Sequence, residues 1–433
     1  MARSPVRPPR SAEVPPVAAN VDDLVTAAMD RGGDSFETGR YIVTYKQHAA
    51  EEGARALSAA GLRVADARDF AEQAVSVAGL SDAQALNFPE IGAAVVGAGA
   101  LEQMGASLQA AVAADSPMAT IEPEYFVFAQ GDVDAYLRGF RSAAEAIARD
   151  LGAPAAVEPG PEVEAQALGA TWGLVRCKVP PSSRSGVEIK VAVLDTGMDL
   201  GHPDFAGRSF VTQTFVGQPV QDLHGHGTHC IGTSCGPKSP AGTTPRYGIA
   251  HRASIFVGKV LTNSGKGVTG SVLAGMNWAI ANRCAVISMS LEGQSPVQAA
   301  YTAAGSAALA KGCLIIAAAG NEASPTGAPA NSPTILSVAS LDPSLSPSSF
   351  SNFGKIEIAG PGRDVFSSVP MPARYGFKSG TSMATPHVAG CAALWAESSP
   401  ALRGTALWNK LQSTAKTLPL SAAKVGKGLV QAP

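Results

Sequence analysis

The stretch GTSMATPHVAG, residues 380–390, says most about the fold and chemistry of this 433-residue chain. A small Gly-Thr-Ser step leads into an apolar run of small residues, which is typical of a loop that delivers Ser382 to the start of a buried helix. Helix-terminal N–H groups and the positive dipole end stabilise a developing negative charge there. Serine also caps helices for purely structural reasons. Ser382 is therefore expected to be a nucleophile only if the chain also supplies a base, an acid and an oxyanion donor.

A candidate acid lies in VEIKVAVLDTGMD, residues 187–199. The nearly continuous apolar run in this segment predicts a strand that is buried on both sheet faces. The run ends at Asp195, and open α/β sheets place their sites at the carboxyl ends of parallel strands. An aspartate that only caps a turn is the alternative interpretation.

A candidate base lies in DLHGHGTHCIG, residues 222–232, where three of the seven histidines fall within six positions. A metal site is the rival interpretation. The segment lacks the His-Glu-x-x-His pattern of zinc proteases, and Asp222 is the only acid close by. We therefore favour His226, which has glycine on both sides, as a general base, and His229 as a packed helix histidine.

A candidate oxyanion donor lies in GCLIIAAAGNEAS, residues 312–324. Its apolar run predicts another buried strand, and Asn321 offers an amide N–H₂ group at the carboxyl end of that strand. Gly-Asn is also an ordinary turn signal, so this segment alone does not identify the donor.

Taken together and in this order, the four segments resemble the subtilisin-like serine proteases, the subtilases, over roughly 165–420. Cys230 after HGTH and the run SSFSNFGKIEIAGPG at 348–362 are most similar to the proteinase K branch. The resemblance implies an α/β fold of three layers around a mostly parallel central sheet. It also implies a serine endopeptidase that hydrolyses peptide bonds through an acyl-enzyme.

The same resemblance implies a role for each candidate residue. Asp195, His226 and Ser382 would form the catalytic triad, and Asn321 would stabilise the oxyanion together with the backbone N–H of Ser382. The alternatives are a peptide-binding pseudoprotease, an esterase or other acyl transferase that uses the same acylation chemistry, and an intact zymogen in which residues 39–130 act as a stable inhibitor.

An N-terminal unit precedes this region. Its pattern of strand, helix, strand, strand, helix, strand predicts a small ferredoxin-like α+β domain. Its opening YIVTYK and closing IEPEYFVF resemble the inhibitor-type propeptide of subtilases, which implies a zymogen that processes itself and is inhibited by its own propeptide. An unrelated ferredoxin-like module is the alternative. The predicted elements span 41–46, 49–60, 63–67, 91–97, 104–114 and 119–129.

The expected domains are a disordered Pro-rich tail over 1–38, the propeptide over 39–130, a linker with an amphipathic helix (133–151) over 131–168, and the catalytic domain over 169–433.

Family members pair an extended substrate with two edge segments. The resemblance places these edges at two tripeptides, which are Gly265, Lys266, Gly267 and Ser290, Leu291, Glu292. Most subtilases carry glycine where Glu292 falls. Glu292 is either a solvated charge at the rim of the cleft or a residue that favours a basic side chain just before the scissile bond.

No cofactor is expected for the chemistry, but a structural calcium ion is a further expectation. The loop at 235–247 lacks Asp and Asn, so the strong calcium loop of bacterial subtilisins is expected to be absent. A weaker site like that of proteinase K would use Asp364 with backbone carbonyls from 329–333, because calcium prefers oxygen ligands.

Composition excludes several other classes of protein. Apolar residues make up 45% of the chain and charged residues 16%, with a net charge of −2, which is typical of a globular protein and predicts neither nucleic-acid nor membrane binding. No apolar run is long enough to span a bilayer. The first 20 residues lack the apolar segment of a signal peptide, which favours the cytoplasm over secretion. The six cysteines are expected to be mostly free thiols.

Overall fold

The computed structural model describes residues 20–31, 36–70, 83–97, 99–100, 115–129 and 169–433. The helices predicted at 104–114 and 133–151 lie outside these ranges. The α-helices are α1 Val21–Arg31, α2 Ala50–Ala59, α3 Trp172–Arg176, α4 His226–Cys235, α5 Thr269–Ala281, α6 Ala299–Ala310, α7 Thr381–Ser398, α8 Gly404–Thr414 and α9 Ala422–Val425. The first strands are β1 Glu37–Tyr45, β2 Val64–Asp66, β3 Ala85–Phe88, β4 Ala93–Val96, β5 Met118–Ala129, β6 Lys190–Asp195, β7 Phe210–Thr214 and β8 Ser254–Lys259. The remaining strands are β9 Lys266–Val268, β10 Val286–Met289, β11 Leu291–Glu292, β12 Leu314–Ala318, β13 Leu336–Leu341, β14 Ile358–Pro361, β15 Val365–Ser368 and β16 Tyr375–Lys378.

The large C-terminal region is built on a parallel sheet of seven strands in the order β14-β13-β12-β10-β6-β8-β7. Side chains of β6 alternate between two cores. Val191 and Val193 pack into the core that contains α4 and α7, whereas Ala192 and Leu194 pack into the core that contains α5 and α6. The sheet is thus covered on both faces, which is why its strands are continuous apolar runs. This is the three-layer arrangement expected from the sequence.

The N-terminal unit is a second sheet, in which β5, β1, β4, β3 and β2 are neighbours in that order. The pairings of β1 with β4 and β5, and of β3 with β4, are antiparallel. β3 was not predicted from the sequence, and it takes the position expected for the second strand. The strand predicted at 63–67 is instead a short edge strand, β2, that pairs with β3 in parallel.

The prediction of a disordered tail over 1–38 is wrong for residues 21–31, which form α1. Val21 and Leu24 are buried against Phe126 and Val268. The Asn20 side chain accepts a 2.9 Å hydrogen bond from the backbone N–H of residue 23. This N-cap and the apolar contact stabilise a segment whose local composition favours disorder.

Two further expectations concern membranes and thiols. Within the described ranges, no helix combines the length and the apolarity that a bilayer crossing needs. All six cysteines are free and buried, which confirms the expectation of free thiols.

Candidate active site

An aspartate–histidine pair stands where a strand and a helix meet. Asp195 is the last residue of β6 and His226 is the first residue of α4. His226 Nδ1 lies 2.8 Å from Asp195 Oδ1 and 3.0 Å from Oδ2, and both side chains are buried. An ionised carboxylate only accepts hydrogen bonds, so Nδ1 carries the proton and Nε2 is left as the basic nitrogen.

Ser382 is the second residue of α7, next to this pair. Cys230 Sγ lies 3.6 Å from the Ser382 carbonyl oxygen and 4.0 Å from His226 Nδ1, so α4 and α7 hold the two residues side by side. The Ser382 hydroxyl donates to the carbonyl oxygen of Ser290 at 3.2 Å. His226 Nε2 is buried and has no hydrogen-bond partner within the part of the chain that the structure describes.

Asn321 follows the carboxyl end of β12 and faces the start of α7. Its Oδ1 accepts hydrogen bonds from the backbone N–H (2.9 Å) and the hydroxyl (3.1 Å) of Thr381, the residue before Ser382. Its Nδ2 donates to Glu292 Oε1 at 3.1 Å. The structure thus brings all four candidate residues into one site, with the Asn321 amide N–H₂ engaged by a carboxyl group.

Asp222, which the sequence analysis noted only as a nearby acid, organises the loop before His226. The buried carboxylate accepts hydrogen bonds from the backbone N–H groups of Gly225 (2.8 Å) and Thr228 (2.9 Å), and from the hydroxyl groups of Thr228 (2.7 Å) and Thr196 (3.0 Å). Burial raises the pKa of Asp222, but these hydrogen bonds outweigh it and leave the pKa below its usual value. The Asp-x-x-Gly spacing is a turn signal that could have indicated this role.

Replacement of Asp222 by asparagine is expected to reduce the free energy of unfolding by about 1–3 kcal/mol at pH 7, because an amide cannot accept all of these hydrogen bonds. The folded-state pKa lies below the ordinary value of 3.8. The carboxylate therefore stabilises the fold above pH 3.8, and this stabilisation is lost as the pH falls through the folded-state pKa. Denaturant unfolding at pH 7 and pH 3, in a Ser382→Ala background to prevent autolysis, measures the effect. Asp69→Asn, at an exposed position, is the control. An Asp222→Asn effect that is equal at both pH values would contradict the assignment.

Two other buried basic residues border the site. His229 is buried in α4 and its Nε2 bonds to the Val365 carbonyl oxygen at 2.9 Å, as predicted for a packed helix histidine. Burial lowers the His229 pKa to about 3. Lys259 donates to the carbonyl oxygen of Thr196 and, at 2.9 Å, to Asn263 Oδ1. Burial lowers the pKa of Lys259 to about 8, although the nearby Asp222 and Asp195 oppose the shift.

Both predicted edge segments are paired with the same strand of the N-terminal unit. Residues 266–268 (β9) pair antiparallel with Phe126–Phe128 of β5, and Leu291 and Glu292 (β11) pair with Ala129 and Phe128. The Ala129 N–H donates to the Gly265 carbonyl oxygen at 2.7 Å. An extended strand therefore lies between the two edges, as a substrate would in β-augmentation.

Glu292 is not a solvated charge at the rim, and that interpretation is wrong. Its side chain is only 4% exposed, because it crosses from β11 to the segment that carries Asn321. Burial, together with the negative charge of Glu322, raises the pKa of Glu292 well above its usual range.

Asp364, the predicted calcium ligand, bonds to Ser379. Its Oδ1 accepts a hydrogen bond from the Ser379 hydroxyl at 3.2 Å, and its backbone N–H donates to the same hydroxyl. Among the described residues, the one group of three or more His, Cys, Asp and Glu side chains close enough to share an ion is Asp195, His226 and Cys230. A calcium site formed by Asp364 with backbone carbonyls from 329–333 therefore stays a prediction.

Comparison with known proteins identifies the family. A sequence model described as the subtilase family matches residues 186–428, more than half of the chain. The chain belongs to the subtilase family. It is therefore a serine-type endopeptidase, as the four sequence segments predicted.

Individual subtilases show the same relationship. The chain is 37% identical over 285 residues to an alkaline protease of Alkalihalobacillus alcalophilus, an alignment that covers 64% of this chain and 72% of the relative. It is 36% identical over 271 residues to subtilisin E of Bacillus subtilis (strain 168), covering 60% and 69%. The crystal structure of a cold adapted subtilisin-like serine proteinase matches with a TM-score of 0.54 and 33% identity, covering 61% of this chain and 99% of that one. The subtilisin-like α/β fold is thereby confirmed, whereas placement in the proteinase K branch stays a prediction.

Proposed function

We propose that this subtilase cleaves polypeptides with Ser382 as nucleophile, His226 as general base and Asp195 as the group that orients the imidazole and stabilises its charged form. The observation that carries the proposal is the buried contact between His226 Nδ1 and Asp195, which leaves Nε2 as the proton acceptor. A rotation about the Cα–Cβ bond of Ser382 exchanges the bond to the Ser290 carbonyl for one to Nε2. The hydroxyl gives its proton to Nε2 as it attacks the peptide carbonyl and forms the tetrahedral intermediate. The C–N bond then breaks, His226 passes the proton to the leaving amine, and the acyl-enzyme remains until water hydrolyses the ester by the same route.

The oxyanion of the tetrahedral intermediate requires donors beside Ser382. The backbone N–H at the start of α7 and the Nδ2 of Asn321 are the proposed pair. Thr381 holds Asn321 Oδ1 through two hydrogen bonds, so the other end of the amide is directed away from Thr381. Every step uses groups of the chain itself, so we propose that catalysis needs no cofactor.

We further propose that residues 39–130 are the inhibitory propeptide of a zymogen. β5 occupies both edge segments, and two of its carboxylates reach the catalytic region. Glu124 Oε1 accepts from the Gly270 N–H at 2.9 Å, and Glu122 Oε2 accepts from the Ala299 N–H at 2.8 Å. These N–H groups belong to the first turns of α5 and α6, where a negative charge is stabilising. β5 thus contacts the catalytic region at four places, which are β9, β11 and the first turns of α5 and α6, and these contacts support its docking there.

The pairing register also supports a processing site. Leu291 is opposite Ala129, so a strand that continued in this register would place its next residue opposite Ser290. The Ser290 carbonyl is the group to which the Ser382 hydroxyl donates. We therefore propose that the chain cuts its own peptide bond between residues 130 and 131. The cytoplasmic location expected from the sequence stays a prediction.

Fluorophosphonate labelling tests the nucleophile, and steady-state kinetics test the oxyanion donor. We expect the probe to label Ser382 alone. Asn321→Ala should lower kcat on the order of 10²–10³, a loss known from a subtilisin itself, with little change in KM. Asn331→Ala, an amide bonded to the Ser295 carbonyl instead, is the matched control. Labelling of another residue, or an Asn321→Ala enzyme with full kcat, would refute the proposal.

A further inference from the structure

The helix α1 has one apolar face and lies before the predicted propeptide. The side chains of this face, spaced as on one side of a helix, are Val21, Leu24, Val25 and Ala28. Leu24 is fully buried, whereas Met29 on the same helix is 62% exposed. An isolated helix of 11 residues is only marginally stable in water, so α1 depends on the contacts of its apolar face.

Both parts of the molecule form the surface on which α1 packs. Phe126 belongs to β5 of the N-terminal unit, whereas Val268 of β9 and Val216, just after β7, belong to the catalytic region. All three side chains are buried, and Phe126 is directly opposite Val268 where β5 pairs with β9. A single apolar cluster therefore joins α1 to both sides of the seam between β5 and β9.

α1 covers the face of β5 that is turned away from the catalytic core. Side chains alternate along β5, so Val127 and Ala129 pack into the core that contains α5 and α6. Phe126 and Phe128 point to the other side and pack in the cluster with α1. β5 is thus held between α1 on one face and the catalytic region on the other.

The end of α1 is fixed to the N-terminal unit. Arg31 Nη2 donates to the Glu37 carbonyl oxygen at 3.0 Å, next to the start of β1. A Cβ added to Gly39 would lie 3.0 Å from Arg31 Nη1, so the guanidinium group passes close to the backbone of β1. A cut between residues 130 and 131 would leave α1 on the same fragment as β5, and only non-covalent contacts would then hold this fragment on the catalytic region.

We propose that α1 is a clasp that keeps the N-terminal fragment bound after the chain has cut itself, and that Val216 and Val268 are the docking surface for this clasp. This inference rests on the proposed function. Residues 39–130 supply the strand that occupies the two edges, and α1 adds apolar burial beyond them. Contacts of this kind act mainly by slowing dissociation, so α1 prolongs the latent state of the protease.

The experiment follows release of the N-terminal fragment from the full-length protein after self-cleavage. Leu24→Ala shortens the fully buried side chain of the clasp, and Val216→Ala shortens its partner on the catalytic side. Both variants should cut the same bond as wild type. Dissociation should be about 10- to 100-fold faster in Leu24→Ala and about 10-fold faster in Val216→Ala, because buried apolar volume is lost. Native mass spectrometry counts the bound fragment over time, and hydrolysis of a chromogenic peptide reports the open cleft.

The matched control is Met29→Ala on the exposed side of α1, which should release the fragment at the wild-type rate. Leu24→Ala combined with Val216→Ala should accelerate release by less than the product of the two single effects, because both side chains belong to one cluster. Once the fragment is gone, all variants should have the wild-type kcat/KM, since Leu24 leaves with the fragment and Val216 lies outside both edge segments.

The outcomes separate this inference from the proposed function. Release at the wild-type rate in Leu24→Ala and Val216→Ala would overturn the clasp and leave the proposed function standing. If Leu24→Ala does not fold, Val216→Ala decides alone, since it leaves the N-terminal unit unaltered. A wild type that cuts itself but loses its fragment at once would refute inhibition by the N-terminal unit, and the clasp with it. If a fluorophosphonate probe does not label Ser382, the proposed function itself fails.

Discussion

Replacement of Ser382 by alanine is expected to reduce kcat on the order of 10⁶, the loss measured when the triad serine is removed from a subtilisin itself. The physical reason is that, among the described residues, no other hydroxyl or thiol group lies both at the start of α7 and beside a base. Cys230 is close to His226, but burial raises its pKa well above the usual value, so it stays a thiol. Hydrolysis of a chromogenic peptide by the purified variant measures the loss.

The control for this prediction is the double variant. His226→Ala alone should lose about as much activity as Ser382→Ala, and the two together should lose no more, since the residues act as a unit. Losses that multiply in the double variant would show that His226 and Ser382 act independently and would contradict the proposed triad.

Replacement of Glu124 by alanine is expected to cost about 3–5 kcal/mol of local stability in the N-terminal unit, because it removes the carboxylate of a buried ion pair. Glu124 is fully buried, and it accepts from Arg40 Nε at 2.6 Å and Nη2 at 2.8 Å as well as from the Thr38 hydroxyl at 2.7 Å. Hydrogen exchange of the β1 and β5 amides in a Ser382→Ala background measures the opening free energy.

The matched control is Glu51→Ala in the same unit. Glu51 pairs with Arg68 at 3.0 Å, but both side chains are more than half exposed, so the loss should stay below about 1 kcal/mol. The double variant Arg40→Ala with Glu124→Ala should recover part of the Glu124→Ala loss, because no buried charge is left uncompensated. Equal costs for Glu124→Ala and Glu51→Ala would contradict the role given to the buried pair.

The sequence predicts best those catalytic residues whose position is set by their own local segment. Asp195 ends an apolar strand, and His226 and Ser382 each stand at the start of a helix. The motif segments carry both the chemistry and the local geometry, so their order along the chain is enough to indicate the family. The parallel sheet follows for the same reason, because β6, β10 and β12 are apolar runs that are buried on both faces.

Contacts between distant segments could not be predicted in this way. From the sequence alone, Glu292 cannot be distinguished from a surface charge. Only the fold shows that residues 320–322 lie against its side chain. Glu122 and Glu124 cap α6 and α5 from 177 and 146 residues away. The four-residue strand β3 is too short for a periodic pattern, and α1 is stabilised by packing on Phe126 and Val268 rather than by its own composition.

We propose that β5 lies in the cleft as the chain's own substrate strand. Intact mass spectrometry and N-terminal sequencing of purified wild type beside Ser382→Ala test it most directly. We predict a new N-terminus at Gly131 in the wild type and an uncut bond in Ser382→Ala. An uncut wild type, the same cut in both proteins, or a cut inside residues 118–129 would contradict the account.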